Sequence, residues 1–255
     1  MASFIFKQPI GMRTLFLILI LVLLTISNIF SQTAQEAHTS AIVKWAPATL
    51  AAGKLTAGSE INFGGKGSLD LVLGFPLSTT RTIKHDEKES ELETKAFSVL
   101  LGYRHYFGRK QMRGLYLEPY AKYLRHQAEG IISSDLLEEL AQMDTKTKYE
   151  GFGIGAQLGV QFLIAKRVSI DFYFLGIEAN TTNFKTHSVD VANALPWTIL
   201  QTTEARRQLE ETYADVPFVK NKVEIEINQD KKEANSSYKG FLPGLRFGAS
   251  IGVKF

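Results

Sequence analysis

Residues 240–255, GFLPGLRFGASIGVKF, decide how the rest of the chain is interpreted. Every odd position from Phe241 to Phe255 is apolar, whereas the even positions from 244 onward carry glycine, serine, arginine or lysine. A period of two over this length is typical of a β-strand with one apolar face and one small or polar face. The stretch is also longer than the roughly 9–11 residues that a tilted transmembrane strand requires. We therefore predict that the chain ends in a membrane-spanning strand.

The same alternation recurs along the chain and predicts about eight strands. They are placed at 41–50, 55–63, 68–77, 97–107, 115–123, 151–162, 168–174 and 241–255. Short turns at 64–67, 108–114 and 165–166 alternate with long connections at 78–94, 127–147 and 180–238, whereas the link at 51–54 is short where a long one is expected. Bacterial outer-membrane barrels have short periplasmic turns and long extracellular loops. The sequence therefore predicts an all-β protein, an antiparallel up-and-down transmembrane β-barrel over residues 41–255.

Residues 1–31 have the organisation of a cleavable signal peptide. Lys7 and Arg13 supply positive charge, and residues 15–24, LFLILILVLL, form an apolar core. A core of this length suits a signal peptide better than a spanning helix, which requires about 20 apolar residues. We place cleavage after Ser31, which leaves residues 32–40 as a periplasmic lead-in. Export through this signal peptide, together with the predicted barrel, predicts that the protein lies in the bacterial outer membrane. An uncleaved inner-membrane anchor is the alternative.

Composition narrows the classes of function. The net charge of +3 falls to +1 once Lys7 and Arg13 are removed (3 − 2 = 1), which gives no support to nucleic-acid binding. The chain has no cysteine, so disulfides, thiolate metal sites and cysteine catalysis are excluded. We find no phosphate loop and no metal-ligand spacing, and we expect neither a cofactor nor a metal.

Strand parity assigns eight charged residues to the inner face of the barrel. Four are acidic and four are basic: Lys44, Glu60, Asp70, Arg104, Glu118, Lys122, Asp171 and Arg246. A soluble lipocalin-like barrel would turn its apolar face inward, and these charges with their many neighbouring glycines favour a polar lumen instead. An eight-stranded barrel is only wide enough to be filled by side chains, and charges without partners there are costly. We expect a charge network that plugs the lumen; a narrow path for ions or small solutes is the alternative.

The 180–238 stretch is predicted to be an extracellular insertion with structure of its own. Pro196 and Trp197 open a helical run that continues to Tyr213, and Val223, Ile225 and Ile227 then alternate as in a strand. Binding tends to reside in loops on rigid scaffolds, so Trp197, expected to be exposed, is the candidate for an extracellular contact. A further short helix is predicted at 134–143.

Catalytic chemistry finds little support in the sequence. A lipid hydrolase on this architecture would need an outward serine beside an outward histidine. Ser59 and His105 both face outward, but they lie on predicted strands that are not expected to be neighbours. We interpret His105 as an interfacial residue beside Tyr103 and Phe107. A non-enzymatic protein is expected, with an envelope lipid hydrolase as the least favoured alternative.

Through its predicted signal peptide, its strand parity and the terminal GASIGVKF, the chain resembles small bacterial outer-membrane barrels of the OmpA/OmpX-like kind. It looks similar in particular to uncharacterised outer-membrane barrels of Bacteroidota. The resemblance covers roughly residues 41–255, and the long final loop departs from it. It implies outer-membrane lipid and the barrel-assembly machinery as partners, Phe255 as an assembly signal, and a monomer. The role expected is structural, in envelope integrity or in surface contact through the extracellular loops.

Overall fold

The computed structural model of the protein describes residues 39–85, 88–137, 139–214, 216, 218–220 and 222–255. The predicted signal peptide and residues 32–38 of the predicted lead-in lie outside this part of the chain. The described residues form ten β-strands, one 3-10 turn (Pro47–Ala52) and the helix α1 (Ile199–Ala214). The strands are β1 (Ser40–Trp45), β2 (Lys54–Asn62), β3 (Gly67–Pro76), β4 (Thr79–His85), β5 (Lys88–Tyr106), β6 (Gly114–Leu136), β7 (Glu139–Ile164), β8 (Val168–Asp190), β9 (Glu224–Asn228) and β10 (Glu233–Lys254).

Eight of these strands close into an antiparallel barrel, which confirms the predicted fold class. Their order is β1-β2-β3-β5-β6-β7-β8-β10, and β10 pairs back onto β1 from Ile42↔Lys254 to Trp45↔Ile251. The strands β4 and β9 lie outside the ring and pair with β5 and β10. We call the end of the barrel that carries the connections 63–66, 107–113 and 165–167 the turn end, and the opposite end the loop end.

The barrel wall is low on one side and tall on the other. Strands β1, β2 and β3 have 6, 9 and 10 residues, whereas β5, β6, β7, β8 and β10 have 19 to 26. The predicted break at 78–94 is a β4–β5 hairpin, and the predicted break at 127–147 is the end of the β6–β7 hairpin, paired up to Leu136↔Glu139. The helix predicted at 134–143 is therefore wrong. Polar residues interrupt the apolar alternation of the β6–β7 extension, so the sequence pattern fades there although the backbone pairing continues.

The first strand ends earlier than predicted. Residues 47–50 belong to the 3-10 turn, because Pro47 lacks the N–H that a strand ladder requires. Gly53 then reverses the chain with φ 70°, and its carbonyl accepts hydrogen bonds from the N–H groups of Leu77 and Ala96, both at 2.9 Å. The turn is thus fixed at the junction of β3 and β5, which explains how a short connection serves the loop end.

The outer face carries an apolar belt that begins at the turn end. Its exposed side chains include Leu71, Leu101, Leu117, Phe152, Ile154, Phe172, Ile177, Leu245 and Ile251. Toward the loop end the outward positions become polar at one level across four neighbouring strands. Arg125 pairs in register with Glu150, Glu150 with Asn183, and Asn183 with Lys239. The belt therefore has a defined upper border on the tall side of the wall.

A β-bulge interrupts β8. The register with β7 passes from Gly159↔Tyr173 to Leu158↔Leu175, so Phe174 is an extra residue, and Phe174 and Leu175 are both exposed. The outward alternation predicted for 168–174 agrees with the structure, because the bulge lies at the end of that stretch. Beyond the bulge the parity switches, and even-numbered residues such as Glu178 face inward.

The predicted insertion 180–238 is shorter in the structure, because β8 continues to Asp190 and β10 begins at Glu233. Residues 191–232, which we call the cap, include α1 and β9. The cap packs on the tall wall through a cluster of buried residues: Leu136, Ala141, Trp197, Ala205 and Ala234. Among the described residues, no helix is long and apolar enough to cross a membrane.

Candidate functional site

Six strands direct one charged side chain each into the turn-end half of the lumen. These residues, which we call the turn-end network, are Lys44 on β1, Glu60 on β2, Asp70 on β3, Arg104 on β5, Glu118 on β6 and Asp171 on β8. None of the six is more than 5% exposed. Glu60 and Asp70 lie directly opposite each other in the β2–β3 ladder, a like-charge placement that is unfavourable unless a cation lies between them.

The guanidinium of Arg104 supplies that cation and contacts all four carboxylates. Its Nε donates to Glu118 Oε2 at 2.7 Å and its Nη1 to Asp171 Oδ2 at 2.7 Å. Its Nη2 lies 3.2 Å from Asp70 Oδ2, and its Nη1 lies 3.3 Å from Glu60 Oε2. The planar guanidinium also lies 4.3 Å from the centroid of the Tyr116 ring. The guanidinium contacts four carboxylates through several donors in a fixed plane, and the single ammonium of a lysine could not reproduce these contacts.

Lys44 completes the network on the side where the barrel closes. Its ammonium donates a short hydrogen bond to Glu60 Oε2 and lies 3.5 Å from both Asp70 Oδ1 and Asp171 Oδ2. Lys44 and Arg104 therefore share three of the same carboxylates. Because Asp171 lies on β8, these contacts connect the first strand to strands on both sides of it, β2 and β3 on one side and β8, beyond β10, on the other.

Neutral donors stabilise the excess of negative charge, since the turn-end network holds four carboxylates and two cations. The hydroxyls of Tyr106 and Ser68 donate to Glu60 Oε1 at 2.6 and 2.7 Å. Tyr116 donates to Asp171 Oδ1 at 2.8 Å, and the amide of Gln157 donates to Glu118 Oε2 at 2.7 Å. Hydrogen bonds to carboxylates are among the stronger ones in proteins.

The other two predicted lumen charges, Lys122 and Arg246, lie one layer closer to the loop end. Lys122 forms an ion pair with Glu178, which also accepts a hydrogen bond from Tyr120 at 2.9 Å. Arg246 donates from Nη1 to Gln157 Oε1 at 2.7 Å, and its guanidinium lies 4.4 Å from the centroid of the Tyr173 ring. The structure thus brings six of the eight predicted residues into one network and connects Arg246 to it through Gln157.

Sequence reasoning missed Glu178, because alternation continued through β8 without the bulge would point it outward. It also gave no role to Tyr106, Tyr116 and Gln157. All three occupy inward positions by strand parity, so the pattern of inward tyrosine and amide side chains could have identified them as partners of the charges.

Two glycines provide the space that these side chains occupy. A Cβ atom at Gly102 would collide with the carboxylate of Glu118, and one at Gly159 would collide with the hydroxyl end of Tyr116. The inward glycines of the barrel therefore admit the larger side chains of neighbouring strands. Among the described residues, no group of three or more histidine, aspartate or glutamate side chains is arranged to hold a metal ion.

Trp197 is not the exposed contact residue that the sequence predicted. It is 2% exposed, and its indole Nε1 donates to Asp190 Oδ2 at 3.0 Å. Burial opposes the ionisation of Asp190, but the hydrogen bonds from Trp197 and Asn193 hold its pKa below the usual range. An indole with an apolar body and one polar donor is well suited to this buried position. Trp197 therefore fixes the cap to the wall.

Replacing Arg104 with leucine is expected to lower the free energy of unfolding by about 3–5 kcal/mol, because four buried carboxylates lose their shared cation. Urea titration of the protein refolded in phosphatidylcholine vesicles, followed by tryptophan fluorescence, measures the change. Arg125→Leu is the matched control, since Arg125 pairs with Glu150 at 3.3 Å on the outer surface, where both side chains are about half exposed. Its loss should cost less than about 1 kcal/mol. Equal losses in the two variants would contradict a special role for Arg104.

Comparisons with known proteins place the chain in a family. No curated protein matches it significantly. Among solved structures it is similar to CarO2 of Acinetobacter baumannii, with a TM-score of 0.44 and 11% identity over 85% of this chain and 97% of that one. It is also similar to CarO of the same organism, with a TM-score of 0.36 and 14% identity over 85% and 95% of the two chains. The family model described as "Protein of unknown function (DUF3575)" matches residues 16–177, more than half of the sequence. The chain therefore belongs to the DUF3575 family.

Proposed function

We propose that the protein is a non-enzymatic outer-membrane β-barrel with a closed lumen, and that its tall wall and cap form a contact surface outside the cell. The observation that carries this proposal is the guanidinium of Arg104, which joins carboxylates from four other strands across the lumen. A barrel closed in this way has its functional surface on the outside rather than along a central path.

The apolar belt supports the membrane location. A spanning strand requires roughly 9–11 residues, so the strands of 19 to 26 residues on the tall side are long enough to cross a bilayer and continue beyond it. The level of Arg125, Glu150, Asn183 and Lys239 then corresponds to the outer interface. Exposed aromatic residues near the turn end, among them Tyr103, Phe107 and Phe162, fit an interfacial girdle on the periplasmic side.

The burial of the turn-end network favours a plug over a pore. Its six members come from strands around the whole circumference, and side chains suffice to fill an eight-stranded barrel. A conducting path would have to separate the buried cations Arg104 and Lys44 from the carboxylates that they contact. Breaking a buried pair of this kind is strongly unfavourable.

The cap supports a role in contact. Leu195, Ile199 and Leu200 are 78%, 75% and 70% exposed, although Trp197 close by is buried. The amide of Gln201 on α1 donates to Glu139 at 2.8 Å, and Ser134 donates to Gln208 at 3.0 Å, so α1 is held against the β6–β7 hairpin. Exposed apolar residues on a fixed element are typical of interaction sites. Ser59 and His105 lie on β2 and β5, which β3 separates, and this placement gives no support to a lipid hydrolase.

In planar lipid bilayers the folded protein is expected to show no discrete conductance steps, because the turn-end network closes the lumen. Insertion should be verified on the same samples by the faster migration of unheated barrels in detergent gels. Steps in the wild-type protein that change when Arg104 or Arg246 is replaced by leucine would overturn the closed-lumen proposal and favour a narrow channel instead.

We also propose that Phe255 is read by the barrel-assembly machinery. Its N–H donates to the carbonyl of Ala41 at 2.8 Å, but its ring is 77% exposed and adds little to the packing of the barrel. Phe255→Ala removes the ring that the assembly machinery would read but keeps the backbone pairing. It should therefore reduce the amount of protein in the outer membrane several-fold. The free energy of unfolding of the refolded variant should change by less than about 0.5 kcal/mol.

Phe63→Ala is the matched control for this prediction, since Phe63 is another exposed aromatic residue (60%) at the turn end. Quantitative immunoblots of outer-membrane fractions measure both variants. Normal membrane levels of Phe255→Ala, or an equal reduction in Phe63→Ala, would count against an assembly role for Phe255.

A further inference from the structure

A cavity of about 90 Å³ lies inside the barrel between the turn-end network and the layer of lumen charges nearer the loop end. The network contributes Lys44, Arg104 and two of its carboxylates to one side of the lining, and Lys54, Lys122 and Arg246 line the other. The volume is several times the roughly 10–15 Å³ that one water molecule requires. It can therefore hold a small molecule of several atoms.

The cavity lining carries five cations and two carboxylates, those of Asp70 and Asp171. Lys44 and Arg104 are paired with carboxylates of the turn-end network, and Lys122 is paired with Glu178. Asp171 Oδ2 accepts from Arg104 and its Oδ1 accepts from Tyr116. Asp70 Oδ2 lies 3.2 Å from Arg104, and its Oδ1, which has no hydrogen-bond partner among the described residues, lies 3.5 Å from the ammonium of Lys44. Positive charge on the loop-end side of the cavity is thus not balanced by these acids.

Two of the cations, Lys54 and Arg246, have no carboxylate within 4.0 Å among the residues that the structure describes. The ammonium of Lys54 donates only to Ser98 Oγ, at 3.3 Å, and a hydroxyl leaves its charge without a counter-ion. Arg246 is held in place by its bond to Gln157 and lies over the rings of Tyr120 and Tyr173, at 5.2 and 4.4 Å. These contacts hold the guanidinium in place but do not neutralise its charge.

A buried hydroxyl provides the second, independent observation. Thr56 lines the same cavity and is 5% exposed, and its Oγ1 has no hydrogen-bond partner among the described residues. Leaving a buried hydroxyl without a partner is costly, and such groups are uncommon in native proteins. A hydroxyl donor that faces this cavity without a partner points to an acceptor atom that a ligand would supply.

We propose that this cavity binds a small oxyanion, through the ammonium groups of Lys54 and Lys122, the guanidinium of Arg246 and the hydroxyl of Thr56. Charge-assisted hydrogen bonds from such groups are the usual means of holding phosphate and carboxylate groups. The side chain of Lys122 is 20% exposed, so the anion reaches the cavity from the solvent at the loop end. The turn-end network closes the barrel below it, which makes the cavity a binding vestibule and not part of a transport path. The inference does not depend on a contact role for the cap.

Isothermal titration of the full-length protein in a non-ionic detergent tests the proposal, with inorganic phosphate and acetate titrated in separate arms at constant ionic strength. The wild-type protein is expected to bind at least one of the two anions saturably with one site per chain. Lys54→Gln and Arg246→Gln should each weaken that binding about tenfold or more. Arg125→Gln, which removes a cation from the outer surface, should leave it unchanged.

Thr56→Val keeps the shape of the side chain and removes only the hydroxyl, so it provides a variant whose folding is not at risk. It should bind the anion more weakly, although its thermal unfolding temperature is unchanged or raised. Binding of phosphate alone identifies a phosphate-bearing ligand, and binding of acetate, with or without phosphate, includes carboxylates among the ligands. The absence of saturable binding in both arms would overturn the proposal. So would losses in the lumen variants no larger than that of Arg125→Gln.

Discussion

The interior of this barrel depends on one guanidinium. Arg104 lies where side chains of β2, β3, β6 and β8 meet, and it touches a carboxylate from each of them. Without it, Glu60 and Asp70 would face each other across a ladder pair with only Lys44 to balance them. The same contact fixes the register of strands that are far apart in the sequence, because a shift by one residue would turn each of these charges to the outer face.

The outer surface and the interior constrain each other. The apolar belt fixes which residues face outward, so every strand has to place its polar residues in a narrow lumen. The charged side chains in the lumen form two layers of opposite net charge. The turn-end network has an excess of carboxylates, and the layer above it, with Lys54, Lys122, Arg246 and Glu178, has an excess of cations. Gln157 bonds to both Glu118 and Arg246 and joins the two layers.

Alternation in the sequence was sufficient to predict the eight-stranded barrel, because inward and outward environments differ along the whole belt. It was insufficient above the belt, where polar residues interrupt the apolar alternation of β6 and β7. The stretch 134–143 is the end of a hairpin there and not the predicted helix. Glu178 was missed because one extra residue, Phe174, reverses the parity of β8. Trp197 is buried, contrary to the prediction, because it contacts Asp190 and the distant wall residues Leu136 and Ala141. Contacts of that kind leave no local pattern.

The most direct test of the central role of Arg104 is its energetic coupling to Asp171, the carboxylate contributed by β8, which its Nη1 contacts at 2.7 Å. A double-mutant cycle with Arg104→Leu, Asp171→Leu and the combined variant, measured by urea unfolding in lipid vesicles, gives this coupling. If the two groups support each other in a buried network, the double variant should be more stable than the sum of the single losses predicts, by about 2 kcal/mol. Losses that add to within about 0.5 kcal/mol would show that the two residues act independently. That result would contradict the account of a lumen held together by its charges.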